Sequence, residues 1–156
     1  MTNILNQAPM ANQAVCQVTI QADANRVWHA LVEETPRWWL RDFYSRPNAQ
    51  FRIEGHLGGR MFEDQGNGSG LIWGNVIGVD PGRSLDIRAY LTAEFGGPAL
   101  SYMAIRLEQG EGQTVVTVTD TIFGFPSLGT VNSLEDGWGQ LFRDGLKAYV
   151  ESGKTA

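Results

Sequence analysis

The chain has 156 residues, a formal net charge of −5 and one cysteine. That length fits one domain able to hide about 68–70% of its unfolded surface. The mild negative charge, with no Lys/Arg run, lacks the electrostatic footprint of nucleic-acid binding, and Cys16 alone excludes an intramolecular disulfide or a multi-cysteine metal cluster.

The first thirteen residues are polar, with one proline and no periodicity, and are expected to form a loose tail before a domain spanning 14–156. They lack the basic start and apolar core of a signal peptide, and no apolar run approaches the ~20 residues of a membrane span. The expectation is a soluble, cytoplasmic protein in a reducing compartment that does not insert into membranes. Residues 15–22 alternate Cys16, Val18 and Ile20 against Gln17, Thr19 and Gln21, the period of a half-buried strand, with Cys16 a small buried hydrophobe. Asp23 can cap a short helix carrying Val27, Trp28 and Leu31, and Pro36 opens a second short helix holding Trp38 and Trp39. Adjacent residues on a short helix diverge, so only one of these two tryptophans is expected in the core, the other lining or lidding an opening.

Strand signals then dominate, over 49–54, 58–64, 71–79, 84–92, 100–109 and 114–123. Between them Asn67-Gly68, Asp80-Pro81-Gly82, Gly96-Gly97-Pro98 and Gly110-Glu111-Gly112 supply the backbone geometry of reversals. Short consecutive connections predict an antiparallel meander. The last element is a helix predicted over 133–152. Leu134, Trp138, Leu141, Phe142, Leu146, Tyr149 and Val150 form its apolar stripe, Glu135, Gln140, Arg143, Asp144, Lys147 and Glu151 its polar back. Ser133 with Asp136 reads as a weak capping box and Gly153 as the stop. Gly137, Gly139 and Gly145 each cost this helix about 1 kcal/mol relative to Ala. Gly145, beside the stripe, either lets the helix pack closely or leaves a space beneath it, and close packing is the simpler reading. The predicted fold is α+β: about seven curved antiparallel strands wrapped around the C-terminal helix, with two short helices after the first strand.

In this order the chain resembles the START-like (Bet v 1-like, SRPBCC) helix-grip superfamily and, within it, the family similar to the C-terminal domain of the activator of heat-shock protein 90 ATPase. The resemblance covers about residues 15–153. It is carried by Ile20-x-Ala22, Val27-Trp28-x-Ala30-Leu31, Trp38-Trp39, Gly58-Gly59-Arg60-Met61, and Trp73-Gly74-x-Val76 leading to Asp80-Pro81 and Leu85. Leu107-Glu108, Thr114, Gly137-Trp138, Leu146 and Glu151-x-Gly153 continue it. It implies a deep cavity under the C-terminal helix, used across the superfamily for lipids, polyketides, hormones and other apolar molecules, and sometimes for catalysis. The eukaryotic co-chaperones carry a separate N-terminal domain that grips the chaperone; the sequence here accommodates one domain.

Nucleotide-loop, zinc-protease, nucleophile-elbow and Cys-x-x-Cys motifs are absent, and Gly55-x-x-Gly58-Gly59 leads into a strand where a phosphate loop would open a helix. His29 and His56 read as surface residues, so neither a metal nor a cofactor is expected. Trp28 and Trp138 read as core packing, and Arg60, Arg88 and Arg106 as solvent-facing strand residues. Asp120 shares the parity of Val116, Val118 and Ile122 and so faces the helix, unless a bulge turns it to water. Glu63 alternates with Met61 and has similar standing. These two carboxylates are the candidate catalytic groups.

The expected ligand-binding residues are Trp39, Phe43, Met61, Trp73, Leu91 and Met103, together with Asp120, Phe123, Leu141, Phe142 and Gly145. The reading that follows is binding of a small, largely apolar molecule. A polyketide cyclase- or hydrolase-like enzyme and a chaperone ATPase regulator are the alternatives, and a homodimer and a chaperone contact stay open as partners.

Overall fold

The computed structural model describes residues 10–124 and 128–156. Its strands are β1 (Met10–Ile20), β2 (Gln50–Ile53), β3 (Arg60–Gly66), β4 (Ser69–Asp80), β5 (Ser84–Leu91), β6 (Ala99–Gln109) and β7 (Thr114–Gly124). Helices α1 (Ala24–Glu33) and α2 (Thr35–Trp38) follow β1, and 3-10 turns occupy Arg41–Phe43 and Ala93–Phe95. A long C-terminal helix ends the chain, made of α3 (Leu128–Gln140), a π-helical segment (Leu141–Lys147) and α4 (Ala148–Ser152).

The strands form one antiparallel sheet in the order β1-β7-β6-β5-β4-β3-β2, so the predicted meander is present, with β1 returning to pair with β7. Register shifts at Met61/Phe62 and Val76/Gly78 are where β3 and β4 bend. The period of two is clean in β7: Thr114, Val116, Val118, Asp120 and Ile122 are all buried. Beside them lie Ser101, Met103, Ile105 and Leu107 of β6, and this inner face takes the C-terminal helix. Burial pushes the half-buried Cys16 thiol up to about 11, the behaviour of a packing residue.

Local chemistry explains the elements between. The Asp23 carboxylate caps α1 by accepting from the Arg26 amide at 2.8 Å, and Pro36 sits in the first turn of α2. Both Trp38 and Trp39 are buried, which corrects the expectation that only one could enter the core, while Trp39 also lines an opening, as expected of one of the pair. The helix ends at Trp38, and Trp39 turns away with extended backbone, φ −69 and ψ 113. Trp38 then donates from its indole to the Ala30 carbonyl at 2.8 Å, while Trp39 stacks on Phe51 at 3.5 Å.

Three boundaries differ from expectation. β1 starts at Met10, so residues 10–13 of the expected tail pair with 121–124, and residues 1–9 lie outside the described residues. The C-terminal helix starts at Leu128, so Ser133 and Asp136 lie within it and are not its cap. Its end is as expected, with Gly153 left-handed at φ 73. The middle is a π turn, in which the Ala148 amide donates five residues back to Arg143. Leu141, Phe142, Gly145 and Leu146 are all buried there. A β-carbon on Gly145 would lie 2.5 Å from the Trp38 carbonyl oxygen, so this glycine serves close packing and leaves no space beneath the helix. Among the described residues no helix is long and apolar enough to cross a membrane.

Candidate functional site

A cleft of about 580 Å³ opens between the first half of the C-terminal helix and the rim of the sheet. From α3 it takes Thr130, Ser133, Leu134, Gly137 and Trp138, whose spacing of three and four residues puts them on one helical face. Asp42, Phe43 and Tyr44 come from the turn after α2, Trp73 and Leu91 from β4 and β5, and Phe95 and Gly96 from the turn before β6. With Trp39 this makes six aromatic residues on the wall, and no Lys, Arg or His is among the lining residues described. Trp39 is fixed by its stack on Phe51, Trp73 by contact with Phe95 at 5.0 Å. The Trp39 indole N–H is buried without a hydrogen-bond partner. At Gly137 an added β-carbon would meet only the Phe43 ring edge, 3.3 Å away, so this glycine shapes the wall.

Behind Trp73, Leu91, Leu134 and Trp138, which line both spaces, lies an inner void of about 30 Å³ that also touches Met61, Ser101, Met103 and Asp120. Asp120 is 4% exposed and faces inward between Ala14 and Met103 on the flanking strands. The Trp138 indole donates to its Oδ2 at 3.0 Å, and its Oδ1 is buried with no partner. Burial pushes the Asp120 carboxyl above the ordinary carboxylate range; the Ser101 hydroxyl, diagonal to it on β6, and the Trp138 indole pull the other way.

Glu63 is fully buried for a different reason. It accepts from the amides of Ser45 and Arg46 at 2.7 and 3.0 Å, from the Trp73 indole at 2.9 Å, and from the Ser45 hydroxyl. Four donors fill the carboxylate and tie the segment after the Arg41–Phe43 turn to β3. It lines neither cavity.

Of the residues expected at the site, Trp39, Phe43, Trp73 and Leu91 line the cleft, and Met61, Met103 and Asp120 line the void behind it. Leu141, Phe142 and Gly145 are buried farther along the helix and line neither. Phe123 is 50% exposed: β7 keeps its alternation to the end, Ile122 points in and Phe123 therefore points out. Tyr44 and Phe95 went unmarked in the sequence, Leu134 and Trp138 read as packing of the helix stripe, and Gly137 as a costly helix glycine with no place at the site. The helical period put Trp138 and Leu134 on the face of Leu141, but only the folded turns at 41–44 and 93–96 make that face a cavity wall. His29 lies beside Glu34 at 3.6 Å and His56 against the Leu57 carbonyl at 3.1 Å, both on the surface. Arg60 pairs with Glu54 and Arg106 with Asp86, each at 2.6 Å, and Arg88 is exposed.

Comparison with known proteins agrees with this architecture. DynU16, from the dynemicin biosynthetic locus, superposes with a TM-score of 0.68 at 22% identity, over 91% of this chain and 48% of that one. The chain thus spans about half of DynU16. The Aha1 dimer from Colwellia psychrerythraea gives a TM-score of 0.67 at 18% identity, over 92% of this chain and 98% of the other. CalU16 from Micromonospora echinospora gives 0.60 at 16%, over 92% and 84%. These likenesses show a shared fold. No curated protein matches the chain closely enough to count as a relative. Residues 21–151 match the family described as "Activator of Hsp90 ATPase homolog 1-like protein", and the chain belongs to that family.

Proposed function

We propose that the protein binds a small, largely apolar, aromatic molecule in the cleft beside α3. The observation that carries this reading is a space of about 580 Å³ walled by six aromatic residues, within the ~300–1,000 Å³ of small-molecule sites. Trp39, Phe43, Trp73, Leu91 and Trp138 supply the apolar contact, and Asp120 with the Trp39 indole supplies the polar orientation. DynU16, which shares the fold, comes from a biosynthetic locus, which favours a small-molecule partner over a protein one. Were the molecule also transformed, the acid or base would be Asp120, since Glu63 has its lone pairs occupied.

Native mass spectrometry of protein from its own host should retain a bound molecule, and an apolar fluorophore should bind the empty protein. Gly137→Leu places a side chain against Phe43 and into the cleft, and should weaken the fluorophore at least about tenfold, the cost of losing the contacts of a few buried carbons. A folded Gly137→Leu protein that binds the fluorophore as well as the parent removes the cleft from consideration. Stimulation of a chaperone ATPase by the protein, undiminished in that variant, would favour the regulator reading instead.

A further inference from the structure

Resting on that reading, we infer that the molecule the cleft selects is an arylalkyl amine in its protonated form, its ammonium group placed in the inner void against Oδ1 of Asp120. Several observations converge. Asp120 is 4% exposed and the donors beside it are both neutral, the Trp138 indole and the Ser101 hydroxyl, while its Oδ1 is buried without a hydrogen-bond partner. A buried carboxylate oxygen without a donor is costly, and buried polar groups are almost always paired. The missing partner is therefore a donor, and a cationic donor offsets the burial of charge best.

The cleft and the void contain two carboxylates, Asp42 at the mouth and Asp120 at the inner end, and no basic side chain among the lining residues described. An anionic guest would meet repulsion with no compensating charge. The walls are aromatic rings, whose faces attract cations as well as flat apolar bodies. The void itself, about 30 Å³, has room for a group the size of water or ammonium, for which roughly 10–15 Å³ suffices. The buried Trp39 indole N–H, also unpaired, sets a second condition: the guest carries an acceptor on its ring system.

The test uses one ring system with three substituents, naphthylmethylamine, naphthylmethanol and naphthoate, titrated calorimetrically into the full-length protein at neutral pH beside the apolar fluorophore. The amine should bind about tenfold or more tighter than the alcohol, the difference between a charge-assisted and a neutral hydrogen bond, with naphthoate the weakest. Asp120→Asn should reduce the amine-to-alcohol ratio to within about threefold, while Asp42→Asn, at the solvent-exposed mouth, should change it by less than that. Naphthylmethanol or naphthoate binding the parent as tightly as the amine overturns the inference, whatever the variants do. Fluorophore binding with no discrimination among the three sinks this inference and leaves the cleft reading standing. Failure of the fluorophore and all three probes to bind sinks both.

Discussion

Asp120 has two neutral donors beside it, the Trp138 indole on Oδ2 and the Ser101 hydroxyl, and a buried Oδ1 without a partner, whereas both oxygens of Glu63 are occupied by the Ser45–Arg46 segment and Trp73. Burial raises the folded Asp120 carboxyl above its unfolded value of about 3.9, so folding favours the protonated form. That contribution is complete below the unfolded value and is lost as pH rises through the higher folded one. Urea midpoints measured from about pH 4 to 8 should therefore show the parent losing stability relative to Asp120→Asn as pH rises. Parallel curves for the two proteins would mean that Asp120 titrates as it does unfolded. Glu63→Gln keeps the shape but turns an amide N–H toward donors. It should cost about 1–3 kcal/mol, the range for a buried polar group left unsatisfied, and speed hydrogen exchange at Ser45 and Arg46. An unchanged midpoint with unchanged exchange would show that the carboxylate does not hold this segment.

Within the C-terminal helix, glycines that look alike in sequence have separate tasks. A β-carbon at Gly145 would stand 2.5 Å from the Trp38 carbonyl, backbone that cannot swing aside, whereas one at Gly139 meets nothing within 4 Å. Gly145→Ala should destabilise by about 1–3 kcal/mol through overpacking. Gly139→Ala should stabilise by up to about 1 kcal/mol, or about 2–4 °C in Tm. Thermal melts giving the two alanines the same sign would refute this division. The early start of the helix also belongs to this scale. Gly129, Thr130, Val131 and Asn132 are weak helix formers, so periodicity picks up only at Leu134. Tertiary packing of α3 across β1 outweighs that local preference.

Across the whole molecule the sheet separates an inner face that builds the cleft from an outer face that does not. Phe123 and Leu100 are neighbours in the β6–β7 register and both are exposed on the outside. Phe123→Ser should leave fluorophore and amine affinities within about twofold of the parent, since Phe123 stands on the opposite face of the sheet and lines neither cavity. A tenfold loss would place Phe123 at the binding surface and contradict its outward orientation.

The sequence by itself determined the element order, the antiparallel meander, the burial parity of Asp120 and the stop at Gly153, because these rest on period, turn residues and a positive φ, all local properties. It also marked Trp39, Phe43, Trp73 and Leu91, whose bulk and position suit a cavity wall. Only the tertiary structure decided that Trp38 and Trp39 both enter the core, that Gly145 packs while Gly137 shapes the cleft, and that Glu63 is filled while Asp120 keeps a free oxygen. Each of these depends on which atoms arrive from distant segments, the carbonyl of Trp38, the ring of Phe43, the amides of Ser45 and Arg46, and the indole of Trp138. No local pattern encodes the direction from which such atoms come.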